Sequence, residues 1–376
     1  MAATLELIVT HWNEPWAVCE KFFQMLDVQR GMAREEVRVT LVQDGQDDRI
    51  DTARLMKRYP FISGIITIPH RGISAARNAG MDAARAGWIM FCDCDDMFYT
   101  ADALRRTLDA LHDAGERADL VWAPIVIENR TPKGDWYRQE QGWNSIFIHG
   151  KCYRLEWIRE KRIRFDERLA YSEDSLWGAT VALEIDPERI GKIRDATYMW
   201  CLRGGSCTSD RQLAARNREN LARHRCYMPE ICMARGRAYD ALTHATRGIF
   251  DAYHELCGGT LDPDEKETLE GIIGRGLVIP WGHALKEIKI EDGAELLRVS
   301  YESTRRKRMM PEDGPDRPLG QWLIEMKEKY GGSADDQTER AEPDPGRIPG
   351  AGEHEPVTGR AAGVCDAGDQ PGGSGA

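Results

Sequence analysis

No apolar run in this 376-residue sequence approaches the roughly 18 residues that a membrane span needs. The opening residues, MAATLELIVTHWNEP, have no basic start and only a short apolar stretch, so a signal peptide is not expected there. Ten cysteines are scattered without any Cys-x-x-Cys pair, and the chain is too long for a disulfide miniprotein. Reduced thiols acting as small core residues are the simplest reading. Positive charge is also short. The formal net charge of -11 argues against nucleic acid as the main partner, because phosphate binding wants a basic surface. Residues 331–376 hold nine Asp or Glu against three Arg, so six of those eleven negative charges lie there. That stretch has 11 Gly and 5 Pro among 46 residues and no Phe, Tyr or Trp. It cannot bury enough apolar surface to offset its chain entropy, and a disordered tail is expected. The chain should be cytoplasmic, at most peripheral at the inner face of a membrane.

What the sequence does contain is alternation. Apolar runs at Leu5–Val9, Val37–Val42, Ile65–Ile68, Trp88–Phe91 and Leu120–Ala123 are short and mostly rich in Val and Ile. Helical patterns lie between most of them, at Trp16–Leu26, Thr52–Tyr59, Ser74–Ala86 and Ala101–His112. Short buried strands alternating with helices imply an α/β fold with a mainly parallel sheet covered on both faces. Ligands of such sheets bind beyond the carboxyl ends of the strands. The polar segments THWNE, QDGQDD, PHRG and DCDD all fall there. Residues 126–150 read as a polar connecting segment carrying Trp136, Tyr137 and Trp143, and residues 151–200 return to mixed structure. From about 210 to 330 the pattern is helical, with Ile249, Phe250, Tyr253, Leu256 and Cys257 on one face.

The segment FCDCDD, residues 91–96, packs Asp93, Asp95 and Asp96 into four positions behind an apolar strand. Carboxylates this close repel one another, so the segment is either well solvated or offset by positive charge. If strand geometry persists past Phe91, Asp93 and Asp95 share a face while Cys94 turns to the core. Two carboxylates at a strand's carboxyl end can hold Mg²⁺ or Mn²⁺, which take oxygen ligands and often bridge to substrate phosphates. A solvated turn with an aspartate helix cap is the plain alternative. An EF-hand loop is excluded by Phe98 where glycine is required. A zinc site at Cys92 and Cys94 lacks a second ligand pair nearby in sequence.

The cluster does not stand alone. HRGISAARNAGMDAARAGWIMFCDCDDMF, residues 70–98, resembles the core signature of family 2 inverting glycosyltransferases with the GT-A fold. The family pattern, Gly-x-Ser-x-Ala-Arg-Asn-x-Gly followed by a strand and Asp-Ala-Asp-Asp, reads here as Gly72, Ser74, Ala76, Arg77, Asn78, Gly80 and Asp93-Cys94-Asp95-Asp96. IVTHWNE (8–14), LVQDGQDD (41–48), GKCYRLEWIREKRIRFDERLAYSEDSLWG (150–178) and YMWCLRGGSCTS (198–209) resemble further family motifs in the same order, with Thr10, Trp12 and Gln43 as departures. The resemblance covers about residues 5–210. It implies a GT-A, Rossmann-like domain over 1–210, followed by a helical region at 211–330 and the tail at 331–376.

The resemblance also implies roles. Asp95 is the expected metal ligand, with Asp93 nearer the nucleotide ribose. Trp12 and Asp44 are expected at the uracil base of a UDP-sugar, one as a stacking face and the other as an imide acceptor. Thr10, Asn13, Glu14 and Arg71 are expected around the same nucleotide sugar, although Asn13 serves equally well as a turn residue. Arg77 lies near a helix N-terminus, where a guanidinium can reach phosphate; an ordinary ion pair is its alternative. Arg203 and Ser206 are further phosphate candidates. The pair Glu173-Asp174 supplies the catalytic carboxylates, with Asp174 as the base for the acceptor hydroxyl and Glu173 orienting the acceptor or the metal site. A helix start accounts for the same two residues.

The run Arg305, Arg306, Lys307 and Arg308 suits either an anionic membrane surface, where lipid-linked acceptors live, or a solvated helix face. The expected reaction is metal-dependent transfer of a sugar from a nucleotide donor to a glycan or lipid-linked acceptor. A sugar-1-phosphate nucleotidyltransferase would want a glycine-rich loop after the first strand, and residues 1–30 contain no glycine. A non-catalytic nucleotide- or carbohydrate-binding protein would have no need of Asp93, Asp95 and Asp174 together.

Overall fold

The computed structural model describes residues 3–47, 50–131, 133–143, 147–203, 213–258, 261–281 and 319–331. The expected tail beyond Gly331, Ser206 and the basic run at 305–308 lie outside the described residues. The first half alternates as expected. It runs β1 (Leu5–His11), α1 (Trp16–Asp27), β2 (Val37–Asp44), α2 (Thr52–Arg58), β3 (Ile62–Ile68), α3 (Ile73–Ala83), β4 (Trp88–Asp93), β5 (Met97–Phe98) and α4 (Ala103–Ala114). Next come β6 (Leu120–Trp122), β7 (Ile125–Arg130), β8 (Trp136–Gln141), β9 (Lys151–Arg154), α5 (Leu155–Glu160), α6 (Glu173–Glu184), β10 (Ile190–Lys192) and β11 (Tyr198–Trp200). Among the described residues four helices follow, α7 (Leu213–Ala234), α8 (Ala238–Cys257), α9 (Pro263–Ile273) and α10 (Leu319–Tyr330), with a π turn at Gly274–Val278.

Seven strands form the main sheet in the order β10-β6-β9-β4-β1-β2-β3. All its pairings are parallel except those of β9, which runs against both β4 and β6. Side chains alternate across it. Leu5, Leu7 and Val9 of β1, with Met90 and Cys92 of β4, face Phe22, Phe23, Leu104 and Leu108 on one side. Ile8, Ile89 and Phe91 face Ala76, Met81 and Trp177 on the other. Burial on both faces is what turns these strands into unbroken apolar runs.

Two expectations need correction. Residues 126–150 are not merely a connection: β7 and β8 form an antiparallel hairpin in a second, four-stranded sheet ordered β5-β11-β7-β8. The strand WYRQEQ is an exposed edge, so it carries no apolar alternation that would announce it. Helix α3 ends at Ala83 rather than running to Ala86. The buried carboxylate of Glu6 accepts the backbone N–H groups of Arg85 and Ala86 at 2.7 and 3.1 Å, which draws the chain out of the helix and into β4.

The C-terminal helices have a core of their own. Ile249, Tyr253 and Leu256 of α8 pack with Cys226, Leu269, Leu277 and Trp322. Leu169 and Leu176 belong to this cluster, while Trp177 and Val181 face the sheet. Helix α6 is thereby clasped from two sides.

Candidate active site

The carboxyl ends of β1, β2, β3 and β4 meet along one edge. Register sets Thr10 beside Asp93, His11 beside Gln43, and Asp44 beside Ile68. The segments THWNE, QDGQDD, PHRG and DCDD therefore leave the sheet together.

The 72–80 motif builds the wall of this edge. Gly72 adopts φ +92, a region that favours glycine, and its N–H donates to Asp44 Oδ2 at 2.8 Å. Ser74 Oγ donates to the Leu169 carbonyl at 3.1 Å. Asn78 bridges to Phe165, donating to its carbonyl and accepting from its N–H, each at 3.0 Å. Ala76 is fully buried, and a Cβ at Gly80 would lie 2.3 Å from Ile8 Cγ2. Small residues let α3 lie close against β1 and β2, and the polar residues anchor it to the 165–169 segment.

Arg77 is the centre of the edge. It is 2 % exposed, with Nη1 2.6 Å from Glu173 Oε1 and Nη2 3.0 Å from Asp93 Oδ1. Its guanidinium lies over the Phe165 ring at 5.3 Å. Burial works against the charged form, but Asp93 and Glu173 outweigh it and hold Arg77 firmly protonated. The residue expected at a phosphate is thus held by two carboxylates inside the fold.

Contrary to expectation, Asp93 and Asp95 do not share a strand face. Strand β4 stops at Asp93, and a turn closed by the Asp96 N–H on the Asp93 carbonyl at 3.2 Å breaks the alternation. Asp93 accepts from Thr10 Oγ1 at 3.3 Å and lies 3.1 Å from His149 Nε2. Burial would raise its pKa, yet Arg77 and His149 hold it far below the usual carboxylate range. Asp95 turns instead to Arg203, with Nε donating at 3.0 Å; burial and the charge of Asp93 raise its pKa. Asp96 does not cap α4. It is 3 % exposed, and Oδ1 accepts the Cys201 N–H at 2.9 Å. Its Oδ2 has no hydrogen-bond partner among the described residues, and burial pushes its pKa well up. The repulsion in DCDD is thus offset inside the chain, by Arg77, His149 and Arg203.

The nucleotide-side residues are also placed. Trp12 is 42 % exposed and stacks on His70, with centroids 4.7 Å apart and planes 7° from parallel. Asp44 is buried, and its two oxygens take His70 Nδ1 at 2.8 Å, the Arg71 N–H at 2.7 Å and the Gly72 N–H. Its carboxylate is therefore committed to shaping the 70–72 turn. Arg71 itself is exposed and pairs with Glu167. Asn13 sits at φ +57, a turn conformation. Glu14 accepts the Trp12 N–H at 2.7 Å and lies 3.9 Å from Arg203 Nη2; burial raises its pKa.

Glu173 and Asp174 open α6 directly after Ser172, which takes the uncommon φ of +63. Glu173 is buried, and its carboxyl pKa is raised by that burial against the pull of Arg77. Asp174 is half-buried, with Oδ1 accepting from the Ser175 N–H at 2.7 Å.

Three residues escaped the sequence reading. His70 is the second half of the Trp12 stack. His149 is 6 % exposed, lies 3.7 Å from Asp96 Oδ2, and stacks on Tyr198 at 5.1 Å. Burial lowers its pKa, but Asp93 and Asp96 carry the balance upward. Lys151 is 3 % exposed, and burial brings its ammonium down to about 7 despite the charge of Asp174. The only signal for the last two was the segment beginning GKCYR, in which Lys151 is the second residue and which His149 directly precedes.

This architecture has a solved counterpart. Residues 1–349 of S. aureus TarS superpose with a TM-score of 0.54 at 15% identity, covering 81% of this chain and 92% of that one, which establishes the shared fold. The sequence model described as Glycosyl transferase family 2 matches residues 6–172, a span that holds every strand end of the site. Residues 6–172 form a family 2 glycosyltransferase domain. Curated relatives agree with this. An uncharacterized glycosyltransferase, EpsJ of Bacillus subtilis (strain 168), is 25% identical over 184 residues, 44% of this chain and 52% of EpsJ. The succinoglycan biosynthesis protein ExoO of Rhizobium meliloti (strain 1021) is 34% identical over 104 residues, 27% of this chain and 28% of ExoO. The chain thus spans about half of the first relative and under a third of the second. Within the family 2 domain lie Thr10, Trp12, Asp44, Arg77 and the DCDD cluster; Glu173 and Asp174 lie just beyond the matched span, and Arg203 well beyond it.

Proposed function

We propose that this chain transfers a sugar from a UDP-sugar to a hydroxyl of a glycan or lipid-linked acceptor, with Mg²⁺ or Mn²⁺ and with inversion at the anomeric carbon. The observation that carries the reading is the meeting of a stacking plate, an acidic cluster and a helix-start carboxylate pair at one edge of a family 2 domain. The exposed Trp12 plate, backed by His70, suits a flat base such as uracil. Breaking the bond between sugar and diphosphate leaves growing negative charge on phosphate oxygen. A divalent cation, when bound, supplies positive charge to that oxygen. The residues present fit such an ion: their donors are carboxylate oxygens, and Asp96 Oδ2 is buried without a hydrogen bond. Asp95 and Asp93 would hold it, the ion taking over from Arg203 as counter-charge of Asp95. Behind them Asp96 and His149 join Asp93 in a group whose donors lie within 4.8 Å of one another, with His149 Nε2 turned to both carboxylates.

Asp174 is the proposed base. Glu173 is committed to Arg77 at 2.6 Å, whereas Asp174 stands half-buried at the first turn of α6. The acceptor hydroxyl gives its proton to Asp174, its oxygen bonds to the anomeric carbon, and the nucleoside diphosphate leaves from the opposite side. Exposed Trp136 and Tyr137 on the hairpin edge and exposed Trp143 offer apolar plates for acceptor sugar rings. A panel of nucleotide sugars tested for slow hydrolysis decides the donor. UDP-sugars should be cleaved only with Mg²⁺ or Mn²⁺ present; preference for a guanosine donor, or cleavage indifferent to chelator, overturns the reading.

A further inference from the structure

A second group of metal-binding side chains lies under the donor edge rather than in it. His11, Glu14 and Cys19 present ligand atoms within 4.8 Å of one another. Cys94, from the middle of DCDD, joins them: its Sγ is 3.4 Å from Cys19 Sγ and 3.6 Å from Glu14 Oε2. His11, Cys19 and Cys94 are 3 %, 1 % and 1 % exposed. The imidazole of His11 is divided in its use. Nε2 lies 3.2 Å from the Glu14 carbonyl, with Glu14 Oε2 and Asp47 Oδ2 each 3.8 Å away, while buried Nδ1 has no well-formed hydrogen bond among the described residues and the ring interacts with Cys19. A ligating histidine has this form, one ring nitrogen held by a carbonyl and the other left for the metal.

We propose that His11 Nδ1, Glu14, Cys19 and Cys94 form a tetrahedral zinc site, separate from the cation site of the donor. At ordinary zinc–sulfur, zinc–nitrogen and zinc–oxygen distances, donors at the corners of a tetrahedron stand about 3.3–3.8 Å apart. The sulfur–oxygen edge of 3.6 Å has the length expected of it, and the two sulfurs, 3.4 Å apart, need to part by only a few tenths of an ångström to reach the sulfur–sulfur edge of about 3.8 Å. Thiolate and imidazole donors select zinc over Mg²⁺, which takes oxygen. Binding Zn²⁺ forms two zinc–thiolate bonds and releases one proton from each thiol that was protonated. Two thiolates and one carboxylate leave the site with one net negative charge, and Arg203 lies 3.9 Å from Glu14 Oε1 to offset it. The ion would tie the end of β1 to α1 and to the acidic turn, fixing Trp12 and Asp95 from below. The proposal does not depend on the sugar-transfer reading.

The test uses the full chain, reduced with a phosphine and freed of metal by a chelator, then titrated with Co²⁺. One equivalent should produce thiolate-to-cobalt charge-transfer absorption in the near ultraviolet and the intense visible bands of tetrahedral cobalt. Zn²⁺ should abolish both and raise the melting temperature. Cys19→Ser and Cys94→Ser should each lose the charge-transfer band, while Cys257→Ser and Asp95→Asn keep it. The unmodified chain decides the matter even if a serine variant fails to fold. A reduced wild-type protein without the thiolate band overturns the site. So does a band that survives in folded Cys19→Ser, or a Cys19–Cys94 disulfide as the state isolated with no metal retained under reduction.

Discussion

At the scale of single residues, the site is a set of carboxylates sorted by how firmly their counter-charges are buried. Arg77, itself buried, occupies Glu173 and one oxygen of Asp93, whereas Arg203, part-exposed, occupies Asp95. A cation can compete with the second more cheaply than with the first, because a buried ion pair once broken leaves an uncompensated charge. Asp95→Asn should therefore weaken Mn²⁺-dependent UDP binding, measured by calorimetry, while His149→Gln leaves the metal dependence in place. Loss of metal dependence in His149→Gln with Asp95→Asn unaffected would move the ion to the inner Asp93, Asp96 and His149 group. The same sorting separates the two α6 carboxylates. Asp174→Asn keeps the side chain's size but cannot take a proton, so transfer should fall by roughly 10² to 10⁴ at nearly constant UDP affinity. Near wild-type transfer by Asp174→Asn would return the pair to the role of a helix start.

At the scale of elements, α3 is positioned by what it lacks. Gly80→Ala adds a methyl that meets Ile8 Cγ2 at 2.3 Å, between two buried surfaces. Overpacking of this kind costs about 1–3 kcal/mol, more than the helix propensity gained. Denaturant unfolding should show that loss, and Ile8→Ala in the same chain should relieve part of it through non-additivity. Helix α7 carries a pH dependence of its own. Burial, with the charges of Arg225 and His244, holds His224 down to about 4. The unfolded chain takes up that proton near the ordinary value of 6.5. The folded pKa is depressed, so this contribution to stability is whole above about 6.5 and is lost as pH falls toward 4. Melting temperatures of wild type and His224→Gln should differ in slope over that window and run parallel above it.

At the scale of the whole molecule, the helices after residue 213 complete the sheet domain. Leu169 and Leu176 are 1 % and 2 % exposed because α7, α8 and their neighbours cover them. A chain ending at residue 210 would expose both, along with the partly buried Ala179 and Leu183. Burial of a leucine is worth about 1.5–3 kcal/mol, so truncation should lower the melting temperature and raise dye binding to apolar surface. An unchanged melt would show that the α/β part stands by itself. Among the described residues no helix is long and apolar enough to cross a membrane.

The strands, the helices between them and the gathering of the polar segments at the strands' carboxyl ends were legible in the residues alone. Periodicity is a local property: Leu5–Val9 or Trp88–Phe91 reads as a buried strand whatever surrounds it. The motif spacing from Gly72 to Asp96 carried the family resemblance for the same reason. Short strands without apolar alternation, such as β8, β10 and β11, left no such trace. Pairings across the chain were hidden as well. Nothing in sequence brings Arg77 to Glu173, His149 to Asp93, Arg203 to Asp95, or Cys19 to Cys94, because separations of 56 to 108 residues are closed only when strands take their register. The sequence determined which charges exist and at which strand ends they emerge. Which of them neutralise one another, and which are left for a ligand, was decided by burial, since only in a water-poor interior must every charge find its partner.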